Sequence, residues 1–175
     1  ARHGIQCDWR DGHAHVPIKP RQERALRAGI IEMAGRYDYP LEWWDRARLR
    51  QELASDRYLG AMYDHASGHL HPLEYCLGLA RAALAAGVRI YEQSPVVELV
   101  HGAKPVLRTA RGQATGEFAV LAGNAWLRGI APELESRVMP VGTYIAATAP
   151  LGEEAARALI RNDMAVADVN WALDY

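Results

Sequence analysis

Residues 71–100 read His71-Pro72-Leu73-Glu74-Tyr75-Cys76-Leu77-Gly78-Leu79-Ala80-Arg81-Ala82-Ala83-Leu84-Ala85-Ala86-Gly87-Val88-Arg89-Ile90-Tyr91-Glu92-Gln93-Ser94-Pro95-Val96-Val97-Glu98-Leu99-Val100. Pro72 suits the first position of a helix, where its missing N–H has no partner to lose. Leu73, Cys76, Leu77, Ala80 and Leu84 then fall on one helical stripe. Gly87 follows as a left-handed stop. Val88-Arg89-Ile90-Tyr91 reads as a short strand, and Pro95 separates it from a second strand at residues 96–100.

Toward the C-terminus, residues 105–109 and 114–122 read as two strands joined by a turn at Arg111-Gly112-Gln113. The second ends in Phe118-Ala119-Val120-Leu121-Ala122, a continuous apolar run of the kind found in strands buried on both faces. Gly123-Asn124-Ala125-Trp126 follows at once. Helix, strands, buried strand and glycine turn, in that order, predict an α/β nucleotide-binding sheet with an antiparallel insertion. Beyond it, residues 138–147 are β-rich and start or continue another sheet, residues 153–161 read as a helix, and residues 165–175 as extended chain.

Toward the N-terminus, Asp11-Gly12-His13-Ala14-His15-Val16-Pro17-Ile18 is a turn signal followed by an alternating run, hence a strand that Pro17 ends. Residues 21–37 carry Leu26, Ile30, Met33 and Ala34 at helical spacing. Residues 45–54 read as a second short helix, residues 58–62 as a short strand, and residues 64–71 as a turn around Ser67-Gly68.

Composition narrows the function classes. Of 175 residues, 50% are hydrophobic and 23% charged, an ordinary globular balance that argues against disorder. A net charge of −1 leaves no basic footprint for nucleic acid or an anionic membrane surface. No apolar run approaches the roughly 20 residues of a membrane helix. Two distant cysteines, Cys7 and Cys76, make no disulfide framework and favour a reducing, cytoplasmic compartment, with Cys76 a packing residue of its helix. There is no Met at the start. Ala1-Arg2-His3-Gly4 reads like the end of a helix, and residues 170–175 stop inside an apparent strand. The expectation is a piece of a longer polypeptide.

The turn Gly68-His69-Leu70-His71-Pro72, the Leu79-Ala80-Arg81-Ala82-Ala83-Leu84-Ala85-Ala86-Gly87-Val88 helix end, Ser94-Pro95-Val96, Ala119-Val120-Leu121-Ala122-Gly123-Asn124-Ala125-Trp126 and Met139-Pro140-Val141-Gly142-Thr143-Tyr144 occur in an order that resembles the D-amino-acid-oxidase-like family of flavoenzymes. Asp168-Val169-Asn170-Trp171-Ala172-Leu173-Asp174-Tyr175 is most similar to its γ-glutamylputrescine-oxidising branch. The resemblance implies FAD as cofactor and a small amine or amino acid as substrate. It places the backbone of Val96, or the neighbouring Val97, at the adenine ring, and Ala122, Gly123 and Asn124 close to the nucleotide. Tyr144, Trp171 and Tyr175 become candidate substrate contacts, and no residue stands out as a catalytic base. It implies a partial FAD-binding domain at residues 1–20 and 55–130, a helical insertion at 21–54 and a partial, mixed or antiparallel substrate-domain sheet at 131–175. None of the 15 glycines forms the GxGxxG loop that holds a dinucleotide pyrophosphate at a helix N-terminus. This chain alone is therefore not expected to bind FAD tightly. Exposed sheet edges suggest a homodimer.

Two other classes compete. His65, His69 and His71, with Asp64 adjacent, suggest a metal-dependent hydrolase, although no HExxH or Cys pair accompanies them. The Trp43-Trp44 pair suggests an exposed patch on a non-catalytic interaction domain. A serine nucleophile is poorly supported, since no G-x-S-x-G occurs.

Overall fold

A computed structural model describes residues 3–127 and 129–170. The chain forms two compact units, one from residues 1–87 together with the segment from Thr148 onward, the other Val88–Ala147.

The first unit is built on a mixed sheet. Its strands are β1 (Arg10–Val16), β2 (Glu42–Asp45), β3 (Gly60–His69) and β7 (Ala165–Asp168), in spatial order β2-β3-β1-β7. β1 and β2 both run antiparallel to β3, and β7 runs parallel to β1. Alternation along the strands sorts the faces. Ala14 and Val16 of β1, Trp44 of β2, and Ala61 and Tyr63 of β3 are buried on one face. They pack with Leu49 and Leu53, which follow β2 in the chain, and with Met164. Trp44 stacks on Tyr63 at 3.9 Å between ring centroids, with the rings 14° from parallel. The opposite face carries His13, His15, Met62, Asp64 and Trp43, since cross-strand partners share a face.

Helix α1 (Pro20–Tyr37) starts with Pro20 at its first position, and the Gln22 carboxamide oxygen accepts from the Ile18 and Lys19 amides. The helix leaves none of its residues fully buried, but Arg27 lies over the Trp43 ring at 4.1 Å. Helix α2 (Arg46–Glu52) is capped by Asp45, whose carboxylate accepts from the Arg48 amide at 2.8 Å. Helix α3 (Pro72–Ala85) is capped by the His71 imidazole and stops at Gly87, which has φ +85°. Only Gly78 of α3 is buried, so the expected stripe is open, and Cys76 is exposed rather than packed. Helix α5 (Glu153–Leu159) returns the chain to this unit, where Ile160 bridges to Leu53.

Several expectations need correcting. Residues 64–69, expected as part of a turn, are the second half of β3. Gly68 there is a close-approach residue: an added Cβ would lie 2.0 Å from the Arg10 carbonyl oxygen across the ladder. Trp43 and Trp44 belong to a strand; Trp44 is only 3% exposed, so the pair forms no surface patch. β7 pairs in parallel with β1, so residues 13–16 and 165–168 share one sheet. Residues 21–54 hold most of α1, all of α2 and β2, the last paired with β3.

The second unit is an antiparallel meander of β4 (Val96–Val100), β5 (Val106–Thr109) and β6 (Gly112–Thr115). A single 3-10 turn at Asn124–Trp126 and the four-residue helix α4 (Pro132–Glu135) follow. Residues 88–91, 116–122 and 138–147 form no strand, against expectation. Phe118 and Val120 are each 88% exposed. An apolar run becomes a buried strand only when partner backbones take its amides and carbonyls, and β6 ends three residues before Phe118.

Candidate functional site

The expected nucleotide contacts all fall in the second unit. Val96 begins β4 opposite Thr109, and the register shifts by one residue between Val96 and Glu98. That bulge leaves Val97 without a cross-strand partner, and its side chain is exposed. β4 is an edge strand of the meander. Ala122 is exposed, and Gly123 and Asn124 lead into the 3-10 turn. Gly123 has φ −85°, and the group an added Cβ would meet is the Leu127 side chain, at 2.7 Å. A hollow of about 380 Å³ lies between this turn and α4, lined by Asn124, Ala125, Leu127, Ala131 and Leu134 among others. Of the five expected contacts, Asn124 alone lines it. Tyr144 is 98% exposed on irregular backbone, not on a strand as expected. Trp171 and Tyr175 lie outside the described residues.

The three histidines of the metal hypothesis are held apart, each with a partner of its own. The His65 ring meets the Glu42 carboxylate at 2.8 Å. His69 Nε2 lies 2.5 Å from the Asp163 carbonyl oxygen. His71 leaves the strand, and its Nδ1 accepts from the Glu74 amide at the start of α3. Among the described residues no group of three or more His, Cys, Asp or Glu is arranged to hold a metal ion.

The strongest polar cluster lies in the first unit, on the sheet face that α1 overhangs. Asp64, 8% exposed, takes the Tyr39 hydroxyl at 2.8 Å and the Ser67 hydroxyl at 2.6 Å on Oδ2. Its Oδ1 accepts the amides of Ala66 and Ser67 at 2.9 and 3.1 Å. Burial pushes this carboxyl up, but the Ser67 and Tyr39 hydroxyls and the two amides outweigh it, and Asp64 titrates below its ordinary value. The same contact, reinforced by burial, pushes Tyr39 up.

His15 sits across the ladder from Met62, next to the His13–Asp64 pair. Its ring is 4.3 Å from that of His13. Burial first, then His13, pull its pKa down, against the opposing charge of Asp64. A hollow of about 300 Å³ under α1 is lined by His15, Tyr39 and Asp64 and by apolar side chains such as Leu26, Met33 and Met62. His15 also lines a second hollow of about 800 Å³ on its other side, over β7. Sequence reading missed this cluster because residues 64–71 read as a turn. The alternation His13-Ala14-His15 was the available signal, placing both imidazoles on one face.

Comparison with known proteins bears on nearly the whole chain. The family model described as DAO, FAD dependent oxidoreductase, matches residues 1–171. The chain is 41% identical to the γ-glutamylputrescine oxidoreductase of Escherichia coli (strain K12) over 99% of its own length and 41% of that relative. It is 39% identical to the probable oxidoreductase OrdL of Haemophilus influenzae, over 99% of its own length and 42% of the relative. It therefore spans about two-fifths of the length of these curated relatives. Among solved structures, glycine oxidase from Geobacillus kaustophilus superposes with a TM-score of 0.63 at 23% identity, covering 74% of this chain and 36% of that one. L-proline dehydrogenase from P. horikoshii gives 0.64 at 16% identity, with coverage of 74% and 36%. At those identities the likeness speaks for the fold alone.

Proposed function

This chain belongs to the DAO family of FAD-dependent oxidoreductases, and from that premise we propose that it works as part of an enzyme that oxidises an amine or amino acid, with γ-glutamylputrescine or a close analogue as substrate. The observation that carries the substrate is the 41% identity to γ-glutamylputrescine oxidoreductase across 99% of the chain. The flavin takes the electrons in such a reaction, while the protein supplies binding, orientation and electrostatics.

Of the contacts a flavin dinucleotide needs, this chain's residues fit one. β4 is an edge strand with a bulge at Val96–Val97, and a free strand edge offers N–H and C=O groups to an adenine ring without any special side chain. This supports Val96, with Val97 as the alternative, as the adenine contact. Ala122, Gly123 and Asn124 are proposed as its neighbours along the nucleotide. The pyrophosphate is a different matter: the sequence has no GxGxxG, and the Gly123 turn opens one 3-10 turn rather than a helix with a dipole to offer. No residue of this chain is proposed for that grip. Tyr144, Trp171 and Tyr175 remain proposed substrate contacts. Among the described residues no helix is long and apolar enough to cross a membrane. With Cys7 and Cys76 both free, a reducing cytoplasmic setting is proposed.

The test is a substrate panel on the complete gene product. γ-Glutamylputrescine is expected to give the highest kcat/KM, with glycine, sarcosine and proline at least tenfold lower. A preference for one of those amino acids would overturn the substrate assignment and leave the family standing.

A further inference from the structure

We propose that His13 and His15 of β1 form a two-histidine chelate for a divalent transition-metal ion, Cu²⁺ above all, at the hollow over β7. The site stands on the geometry of the first unit and goes beyond the flavin reading; it involves none of the residues proposed there.

The argument begins with the strand. Side chains two residues apart on a strand point to the same face. The pairing of β1 with β3 is regular from His13 to His15, so no bulge turns one ring away from the other. The two rings lie 4.3 Å apart between centroids, tilted by 37°. Two imidazoles bound in cis positions, each with its nitrogen about 2.0 Å from the metal, have ring centres about 4.5 Å apart; tetrahedral positions need about 5 Å. The observed spacing is close to that of cis positions on a tetragonal ion. Rotation about χ2, which is soft in histidine, aims one nitrogen of each ring at a shared point.

The nitrogens are available. His65, His69 and His71 each give a ring nitrogen to a protein partner. Among the described residues neither the His13 nor the His15 ring makes a hydrogen bond. Both rings line the same hollow of about 800 Å³, which leaves room for water at the other metal positions, and no Lys or Arg lines it. Asp64 is the cross-strand partner of His13. Its oxygens are taken by hydroxyls and amides, so it is no ligand, but its negative charge beside the pair favours a cation. Two protein ligands are too few to select a metal by cage geometry. The choice then follows ligand type and the intrinsic order of divalent ions, which for imidazole puts Cu²⁺ first.

The experiment titrates the ¹⁵N-labelled 175-residue chain with CuCl₂ at about pH 7.5, where an ordinary imidazole is mostly neutral. All chains carry His3→Gln, because a histidine third from a free α-amine is itself a copper-binding set. Cu²⁺ is paramagnetic and broadens the amides around it. Saturable broadening is expected to centre on residues 13–15 and their partners Met62, Tyr63 and Asp64. His13→Gln and His15→Gln should each weaken binding at least tenfold. His69→Gln should leave it unchanged, although His69 lines the same hollow. Excess Mg²⁺, which prefers oxygen ligands, should not displace the copper. Broadening centred elsewhere, absence of saturation, displacement by Mg²⁺, an equal loss in His69→Gln, or a His13→Gln or His15→Gln chain that binds like the parent would overturn the proposal. If either of those two variants does not fold, the position of the broadening in the parent and the Mg²⁺ competition decide it.

Discussion

At the scale of single residues, the account rests on Asp64 and His15. Both titrate below their ordinary values in the folded chain. The unfolded chain therefore binds more protons than the folded one in each window, and stability falls with acid. The His15 contribution is complete above about pH 6.5 and is lost as pH falls through its folded value; that of Asp64 is complete above about pH 4 and is lost below it. Urea midpoints measured from pH 8 to pH 3 should show two descending steps. His15→Gln is expected to remove the upper step, and Asp64→Asn to reduce the lower one, the rest of which belongs to Glu42, held down by the Trp44 and His65 hydrogen bonds. A profile flat between pH 7 and pH 5 would contradict the His15 half. Gly68→Ala is a second test: its Cβ has no room beside the Arg10 carbonyl, so β1 and β3 must part locally. A loss of about 1–3 kcal/mol in denaturant unfolding is expected, and an unchanged midpoint would mean the strands do not approach as described.

Elements with their own stop and start signals were legible in the sequence. α1 and α3 each begin at a proline, and Gly87 ends α3 where expected. β1, β4, β5 and β7 also appear in their expected places. The misread elements are those whose form depends on a distant partner. β3 runs on through Ser67-Gly68 because β1 lies against it, which no local signal reports. β2 emerges from the Trp43-Trp44 pair because Tyr63 offers Trp44 a stacking surface. Conversely, residues 118–122 have the composition of a buried strand without partner backbones among the described residues, and composition alone cannot make a ladder. The candidate site divides the same way. Val96 and the residue 122–124 turn were named from motif order, whereas the Asp64 cluster depends on β1, β3 and Tyr39, two residues past α1, meeting in space. At this scale Leu49 tests the core: it is the apolar anchor of α2 and fully buried. Leu49→Ala is expected to cost about 2–5 kcal/mol, and a cost under about 1 kcal/mol would mean α2 is not packed on the sheet.

At the scale of the whole molecule, the outermost strands of the two sheets among the described residues are β2 and β7 in one unit and β4 and β6 in the other. Open edges template pairing with another chain, so sedimentation of the 175-residue chain should show association that rises with concentration. A single monomeric species over a hundredfold concentration range would refute this. The same chain lacks a pyrophosphate loop, so titrated FAD should keep the spectrum of free flavin; a stoichiometric bound spectrum would show that the grip lies within these residues after all. The most direct test of the central claim uses the complete gene product. Its visible spectrum should carry flavin bands that bleach within one turnover when γ-glutamylputrescine is added without oxygen. A protein purified without flavin, or flavin bands that persist with this substrate and with every other amine and amino acid offered, would contradict the assignment.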